Sequence, residues 1–357
     1  MKNATAKAGA PVNEFNQQVK PVSLWADAWK RLKKNKMALI GLYVAAAYII
    51  IAILAPILPI QSYEEQVIAH QNLPPSFETA GTLMIKSNET YMRKMAAKMQ
   101  RVPFDQAKLP PEDEAKLAEM KNDVATNPVH QRHYLLGTDS LGRDVLSRVI
   151  YGGRVSMMIG AVGTLASLLI GILIGAIAGY LGGIVDSLLM RFVDIMYGLP
   201  YMLIVIIMMA ILGQNIFILF VAIALVSWLT IARVVRGQVI SLKNSEFIEA
   251  ARSMGARKRR IIVNHLLPNT IGIIIVYSSL SMPEFIMSES FLSFLGLGVS
   301  APLASWGSLV SEGVSTMQLY PWHLLVPAIT MTVFLFAMNF LGDGLRDAFD
   351  PQSKNRV

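Results

Sequence analysis

The chain has 357 residues, a formal net charge of +8 and a mean hydropathy of +0.47, with 54% apolar and 16% charged residues. Charged residues are scarce for a soluble chain, and several apolar runs reach the roughly 20 residues needed to cross a bilayer core of about 30 Å, so the composition specifies an all-α polytopic membrane protein. There is no cysteine, which excludes thiolate metal sites and disulfide staples.

In chain order, residues 1–36 form an N-terminal tail. Met1 to Val22 has no apolar core, so no cleavable signal is expected and the first apolar run, Met37–Ile60, is a retained anchor and the first of six predicted spans. Residues 61–136 are too polar for lipid and form an insert. Met92, Met95 and Met99 with Lys94 and Lys98 suggest one amphipathic helix. Pro111 followed by Glu112, Asp113 and Glu114, then Leu117, Met120 and Val124, suggests a second with its acids at the N-terminus. Two helices over the outer mouth fit, either as a lid or delivery contact or, the preferred reading, as a decoration. His130 and His133 lie within one helical turn, but His70 is distant and no thiol is near, so no metal is expected.

Residues 137–345 hold five further spans, Val155–Leu181, Leu199–Leu212, Ile216–Ile231, Thr270–Met287 and Trp322–Leu341. Gly171, Gly175 and Gly179 recur every four residues and predict a helix face open to close packing, with Ile174 off that face. The third span is expected to begin near Leu188, carrying Arg191 and Asp194 as a local ion pair. Glu284 and Glu289 follow a break at Pro283 near the outer end of the fifth span, where they face an aqueous substrate path or the interface.

Orientation follows from Lys and Arg. Lys30, Arg31, Lys33, Lys34 and Lys36 precede the first span, Arg233, Arg236, Lys243 and Arg257 to Arg260 lie between spans four and five, and Arg346, Lys354 and Arg356 lie in or beside the tail 346–357. Both termini are therefore expected in the cytoplasm. Arg143, Arg148 and Arg154 dissent on the outer side, offset in part by Asp139 and Asp144.

The loop 243–269 carries the most specific pattern. In it Glu249, Ala250, Ala251, Gly255, Leu267 and Pro268 resemble the cytoplasmic coupling loop of ABC-importer permeases, and His265 stands where that pattern has Ile. Spacing predicts a short amphipathic helix with Ala250, Ala251 and Met254 on one side, ended by Gly255 in a left-handed conformation. A second helix over Ala256 to Asn264 would follow, and Pro268 would restart the chain. Such a helix suits docking in a partner's groove, while the run Arg257 to Arg260 also suits anionic lipid.

His133 to Arg148, Gly152 to Ser156, Phe291 to Gly298, Ser305-Trp-Gly307 and Gly342 to Pro351 resemble dipeptide, oligopeptide and nickel permeases. Gly213 to Ile216, Val226 to Leu229 and Arg236-Gly-Gln238 most resemble the C-type subunit of oligopeptide importers. The resemblance implies the type I importer permease fold, ATPase docking at Glu249, Ala250, Ala251, Met254, Gly255 and Pro268, and location in a bacterial inner membrane. It also implies a second permease subunit, two cytoplasmic ATPase subunits that bind ATP and Mg, an extracytoplasmic peptide-binding protein and a peptide substrate. No catalytic, cofactor or metal residue and no nucleic-acid partner is expected for this chain, and without a Gly-x-x-x-x-Gly-Lys-Ser/Thr phosphate loop it cannot itself hold ATP in that way. Dipeptide, antimicrobial-peptide or nickel import are the alternatives within the family. An ATP-independent secondary transporter or channel is the rival class, although no internal repeat supports it.

Overall fold

A computed structural model describes residues 24–349, so the tail calls on residues 1–23 and on Pro351, Lys354 and Arg356 lie outside the described residues. The helices are α1 (Leu24–Leu32), α2 (Lys36–Leu54), α3 (Ala80–Gln100), α4 (Pro111–Thr126), α5 (Val145–Leu181), α6 (Gly183–Tyr197) and α7 (Tyr201–Leu212). They continue as α8 (Ile216–Leu242), α9 (Glu246–Ser253), α10 (Lys258–Ile261), α11 (Leu267–Phe294), α12 (Trp306–Thr316) and α13 (Trp322–Phe349). Among the described residues, five helical runs are long and apolar enough to cross a membrane, and α6 with α7 makes a sixth if that bent pair is one span.

Local chemistry moves most of the predicted boundaries. The first span stops at Leu54, two residues before Pro56, which has no N–H to continue the helical ladder, and Ile57 N and Leu58 N close on the Leu54 carbonyl in turns instead. The second begins ten residues early at Val145, where the Asp144 side chain accepts from the backbone of Leu146 and Ser147. The third is not one helix reaching back to Leu188. Gly198 and Pro200 interrupt it, and α6 meets α7 at 77°. The fourth runs on to Leu242 and the sixth to Phe349. Pro283 does not break the fifth, because α11 continues through it. Helix α12 was not expected.

Helix α5 is the axis of the bundle. Its glycines Gly171, Gly175 and Gly179 are buried against α8, and a Cβ at Gly171 would lie 2.6 Å from Ile231 Cβ and one at Gly179 2.9 Å from the Arg236 carbonyl. The stripe therefore makes an internal contact, and it does so where backbone approaches backbone. Ile174, off the stripe, still packs on the cluster around Val193 and Val226, whereas Leu173 is exposed. On the other side α2 turns its small residues, Ala38, Gly41 and Ala45, towards the bundle, and a Cβ at Gly41 would sit 3.0 Å from Leu341 N of α13. In lipid such close packing supplies the attraction that water would otherwise drive.

Two motifs that are 150 residues apart meet at α12. Ser305 caps this helix through its hydroxyl, Trp306 N donates to Ser156 Oγ at 3.0 Å, and Trp306 Nε1 donates to the Val149 carbonyl at 3.0 Å. Gly153 leaves room for the indole, since a Cβ there would be 2.7 Å from the ring.

Two of the three dissenting arginines are not solvated loop charges, while Arg154 is exposed and lies over the Tyr151 ring. Arg143 Nε donates to Asp139 Oδ2 at 2.7 Å, and Arg148 bridges Asp139 at 2.8 Å and Glu312 of α12 at 2.7 Å. Both guanidinium groups are buried and paired, so they carry little weight in a rule that counts free loop cations. Asp144 is occupied by the helix cap instead.

The insert has its own small core of Leu73, Ala80, Leu83, Met84 and Tyr134, with Met120 and Val124 packed on it. Both predicted helices are present as α3 and α4, but Met95 and Met99 of α3 face outward, because Ala80, Leu83 and Met84 supply the buried face. His70, remote in sequence, is adjacent in space. Its Nε2 lies 2.7 Å from His130 Nδ1 and its Nδ1 3.1 Å from Tyr134 Oη, while His130 Nε2 lies 3.0 Å from Asp123 Oδ2. One tautomer set satisfies all of these atoms: Tyr134 donates to His70, His70 to His130, and His130 to Asp123. Among the described residues no three-ligand metal cluster occurs.

Burial first, then His130 and Arg132, hold the His70 imidazole down at about 4 from its ordinary 6.5. The unfolded insert thus takes up protons that the folded one does not, and its stability is lost as pH falls through that window. A cysteine at Leu83, which is buried, should therefore become more reactive relative to one at the exposed Met99 at about pH 5 than at about pH 7.5. The trend should flatten in His70→Gln. An unchanged ratio in the parent protein would show that the histidine chain does not control the insert.

Candidate functional site

Between α8 and α11 the chain leaves the bundle and returns within a short segment. Helix α9 starts where the Ser245 carbonyl accepts from Ile248 N at 3.0 Å and Glu249 N at 3.1 Å. Glu246 and Glu249 lie in its first turn and Arg252 in its last, in the sense that suits the helix dipole. Gly255 ends it with φ of +80°, and Ala256 N returns to the Ala251 carbonyl at 3.1 Å. This is the left-handed stop expected from the sequence.

The faces of α9 differ from the expected ones. Ile248 is buried in a cluster with Val235, Val239, Ile261 and Leu266, and Ala251 is only 2% exposed, so both face this chain's own interior. Ala250 and Met254 are on the other side, with Met254 81% exposed, and Phe247, which the sequence reading missed, is exposed beside them. The signal was present as the three- and four-residue spacing of Phe247, Ala250 and Met254. One face thus anchors the helix while the opposite face offers a small apolar stripe.

Pro268 does not restart the chain. Helix α10 passes into a π turn over Ile262–Leu266 and then directly into α11, with Leu267 N bonded to the Ile262 carbonyl. Proline has no N–H and its ring crowds the carbonyl four residues back, and the wider turn just before it absorbs both effects. Lys258, Arg259, Arg260 and His265 belong to this segment, and the three basic residues are exposed.

The charges in the bundle also pair differently. Asp194 of α6 bonds Arg233 of α8 at 2.6 Å rather than Arg191, and the Arg233 guanidinium lies 3.9 Å from the centre of the Tyr197 ring. Arg236 grips Asp186 through two bonds, of 2.5 and 2.7 Å. Glu289 is fully buried and its Oε1 accepts from Ser293 and from Ser305, both at 2.6 Å, so it ties α11 to the cap of α12 and faces no aqueous path. Glu284 is exposed and lines a cavity between α8, α11 and the turn joining α6 to α7. The two glutamates, five residues apart, therefore point to different surroundings.

The bundle of membrane-length helices thus carries, on the turn between α8 and α11, a short amphipathic helix with one buried and one exposed face. Residues 171–355 match the family described as binding-protein-dependent transport system inner membrane component, and residues 23–75 match the N-terminal TM domain of oligopeptide transport permease C. The chain belongs to this family of ABC-transporter permeases. It is 41% identical to the oligopeptide transport system permease protein OppC of Escherichia coli (strain K12) over 94% of each chain. It is 38% identical to the dipeptide transport system permease protein DppC of Bacillus subtilis (strain 168), over 93% of this chain and 87% of that one. With OppC of Salmonella typhimurium (strain LT2) the identity is 51% over 62% of this chain and 73% of the relative. Membership makes it a multi-pass inner-membrane permease subunit that works with an ATPase and other subunits.

Proposed function

We propose that this chain is one permease half of an importer of oligopeptides, and that the outward stripe of Phe247, Ala250 and Met254 on α9 receives an ATPase subunit. The carrying observation is the division of α9 into an anchored and a free face. Ile248 packs with Val235 and Val239 of α8 and with Ile261 and Leu266 at the approach to α11, so force applied to the free face is transmitted to membrane helices rather than lost in a loop. Glu249 and Gly255 shape and stop the helix, and Pro268 lies where the chain rejoins α11. A second permease subunit would complete the path, two cytoplasmic ATPases would bind ATP and Mg, and an extracytoplasmic binding protein would deliver peptide. ATPase closure can turn the cavity outward only if the outward conformer binds the closed ATPases more tightly than the inward one. The oligopeptide substrate is supported by the names of the OppC relatives, and the dipeptide reading by DppC of Bacillus subtilis.

The test is uptake of radiolabelled peptides of graded length by proteoliposomes holding the whole complex, with its binding protein and internal ATP. Uptake of longer peptides supports the proposal, and uptake of dipeptides alone overturns the substrate class. The topology has a separate test, in which both termini and α9 are cytoplasmic and the insert is outside. A reporter fused near Asp105 should be active only outside the cytoplasm, and one after Gly255 only inside. Activity of both on one side would remove the orientation and the docking proposal together.

A further inference from the structure

The cavity beside Glu284 has a volume of about 570 Å³ and brings together Tyr201 from the start of α7, Ser227 and Thr230 from α8, and Tyr277, Glu284 and Ser288 from α11. Gathering hydroxyls and a carboxylate on one wall between membrane helices leaves them in need of partners. Two of the hydroxyls, Tyr201 Oη and Ser227 Oγ, are buried and make no hydrogen bond of ordinary geometry among the described residues, although the Ser288 hydroxyl lies beside Tyr201. Buried polar atoms of that kind call for a physical account. Ser281, also on the wall, is different: it donates to the Tyr277 carbonyl at 2.8 Å and needs nothing further.

The charge is also unbalanced. Arg233, on the same helix as Ser227 and Thr230, is engaged by Asp194 and stacked on Tyr197, and Arg236 is held by Asp186. Glu284 has no salt bridge among the described residues, so the wall presents one uncompensated negative group beside unpaired hydroxyls. A cationic ligand with amide groups matches that set, since an ammonium pairs with the carboxylate while amide N–H and C=O groups meet hydroxyls that both donate and accept. The wall offers no second charge, so it would read the backbone end of a peptide and tolerate varied side chains.

We propose that this cavity is a cation-selective subsite on the transport path, taking the N-terminal ammonium of a passing peptide at Glu284 and its first amide groups at Tyr201 and Ser227. The ligand class rests on the peptide-import reading, while the cation preference of the cavity does not. Because the chain has no cysteine, Ser227→Cys places a single thiol in it. In the assembled complex in proteoliposomes, its reaction with 2-aminoethyl methanethiosulfonate and with 2-sulfonatoethyl methanethiosulfonate is followed by mass spectrometry of this chain. After correction for each reagent's rate with a free thiol, the cationic reagent should be favoured on the order of tenfold, as expected where a low-dielectric wall focuses one sign of charge. Adding Glu284→Gln should abolish that preference, and Thr230→Cys should behave in the same way. An absence of reaction at both positions, or a preference that survives Glu284→Gln, would overturn the subsite. Glu284→Gln alone should raise the peptide concentration needed for half-maximal uptake. If the unmodified complex imports no peptide while the thiol preference holds, the import reading fails and the cation site stands.

Discussion

Gly175→Leu should abolish assembly of a functional complex, with uptake reduced at least tenfold and the variant chain recovered largely as aggregate or proteolytic fragments. A Cβ at this position would press against the Ala232 carbonyl and lie 3.0 Å from both Arg236 N and Val235 Cβ. These first two neighbours are backbone atoms of α8, which cannot rotate aside as a side chain can. Overpacking a core typically costs about 1–3 kcal/mol, and a leucine against helix backbone has to separate α5 from α8 altogether. That separation would also strain the Arg236–Asp186 pair, which holds the same end of α8 to α6. The control is Leu173→Ala, since Leu173 is exposed on the same helix and should be nearly silent. Complex yield after detergent extraction and peptide uptake are the measurements, and full activity of Gly175→Leu would show that the stripe is not a tight contact.

Arginine at adjacent positions of α9 should have opposite consequences. Ala250→Arg lies on the exposed face, so the chain should fold and reach the membrane at normal levels while ATPase co-purification and uptake both fall. An unpaired guanidinium buried in an interface costs several kcal/mol, against the about 1.4 kcal/mol that corresponds to a tenfold loss of affinity. Ala251→Arg instead places the same group at a position only 2% exposed in this chain itself, so membrane levels of the chain should drop. Gly255→Val tests aim rather than contact. A Cβ there meets no atom within 4 Å, yet φ of +80° resists a β-branched residue, so reduced coupling at normal expression is the expected result. Normal ATP-dependent uptake by both Ala250→Arg and Gly255→Val would mean that force enters the protein elsewhere.

Most of what was legible in the sequence is short-range. The apolar runs around Met37, Val155, Ile216, Thr270 and Trp322 identified membrane helices, because crossing lipid demands a continuous apolar stretch whatever the neighbours are. Gly255 was readable as a helix stop, since only a residue without Cβ enters the left-handed region freely. The glycine stripe was readable as a packing face from its period, although not its partner. Proline was the least reliable sign: Pro56 and Pro200 end or bend helices where the predicted spans run through them, whereas Pro268 and Pro283, expected to interrupt the chain, sit inside continuous ones. A π turn precedes Pro268, and neighbouring helices hold α11 together around Pro283, neither of which a local rule can foresee.

The sequence by itself determined the class, the apolar runs that become membrane helices and the pattern of the coupling segment, because hydrophobic length, helix periodicity and turn chemistry act over a few residues. Only the tertiary structure decided which face of each helix is used. Ala250 and Ala251 are both small residues of one short helix, and it is the packing of Ile248 on Val235, Val239, Ile261 and Leu266 that turns one of them inward and leaves the other on the surface. Glu284 and Glu289 are the same residue type five positions apart, and Ser305, far along the chain, is what buries the second. His70 and His130, 60 residues apart, become neighbours only when α3 and α4 close over them, and Arg148 loses its weight as a topological signal only when Glu312 reaches it. In each case the deciding partner is remote in sequence, and pairing of charges and burial of side chains depend on distance in space.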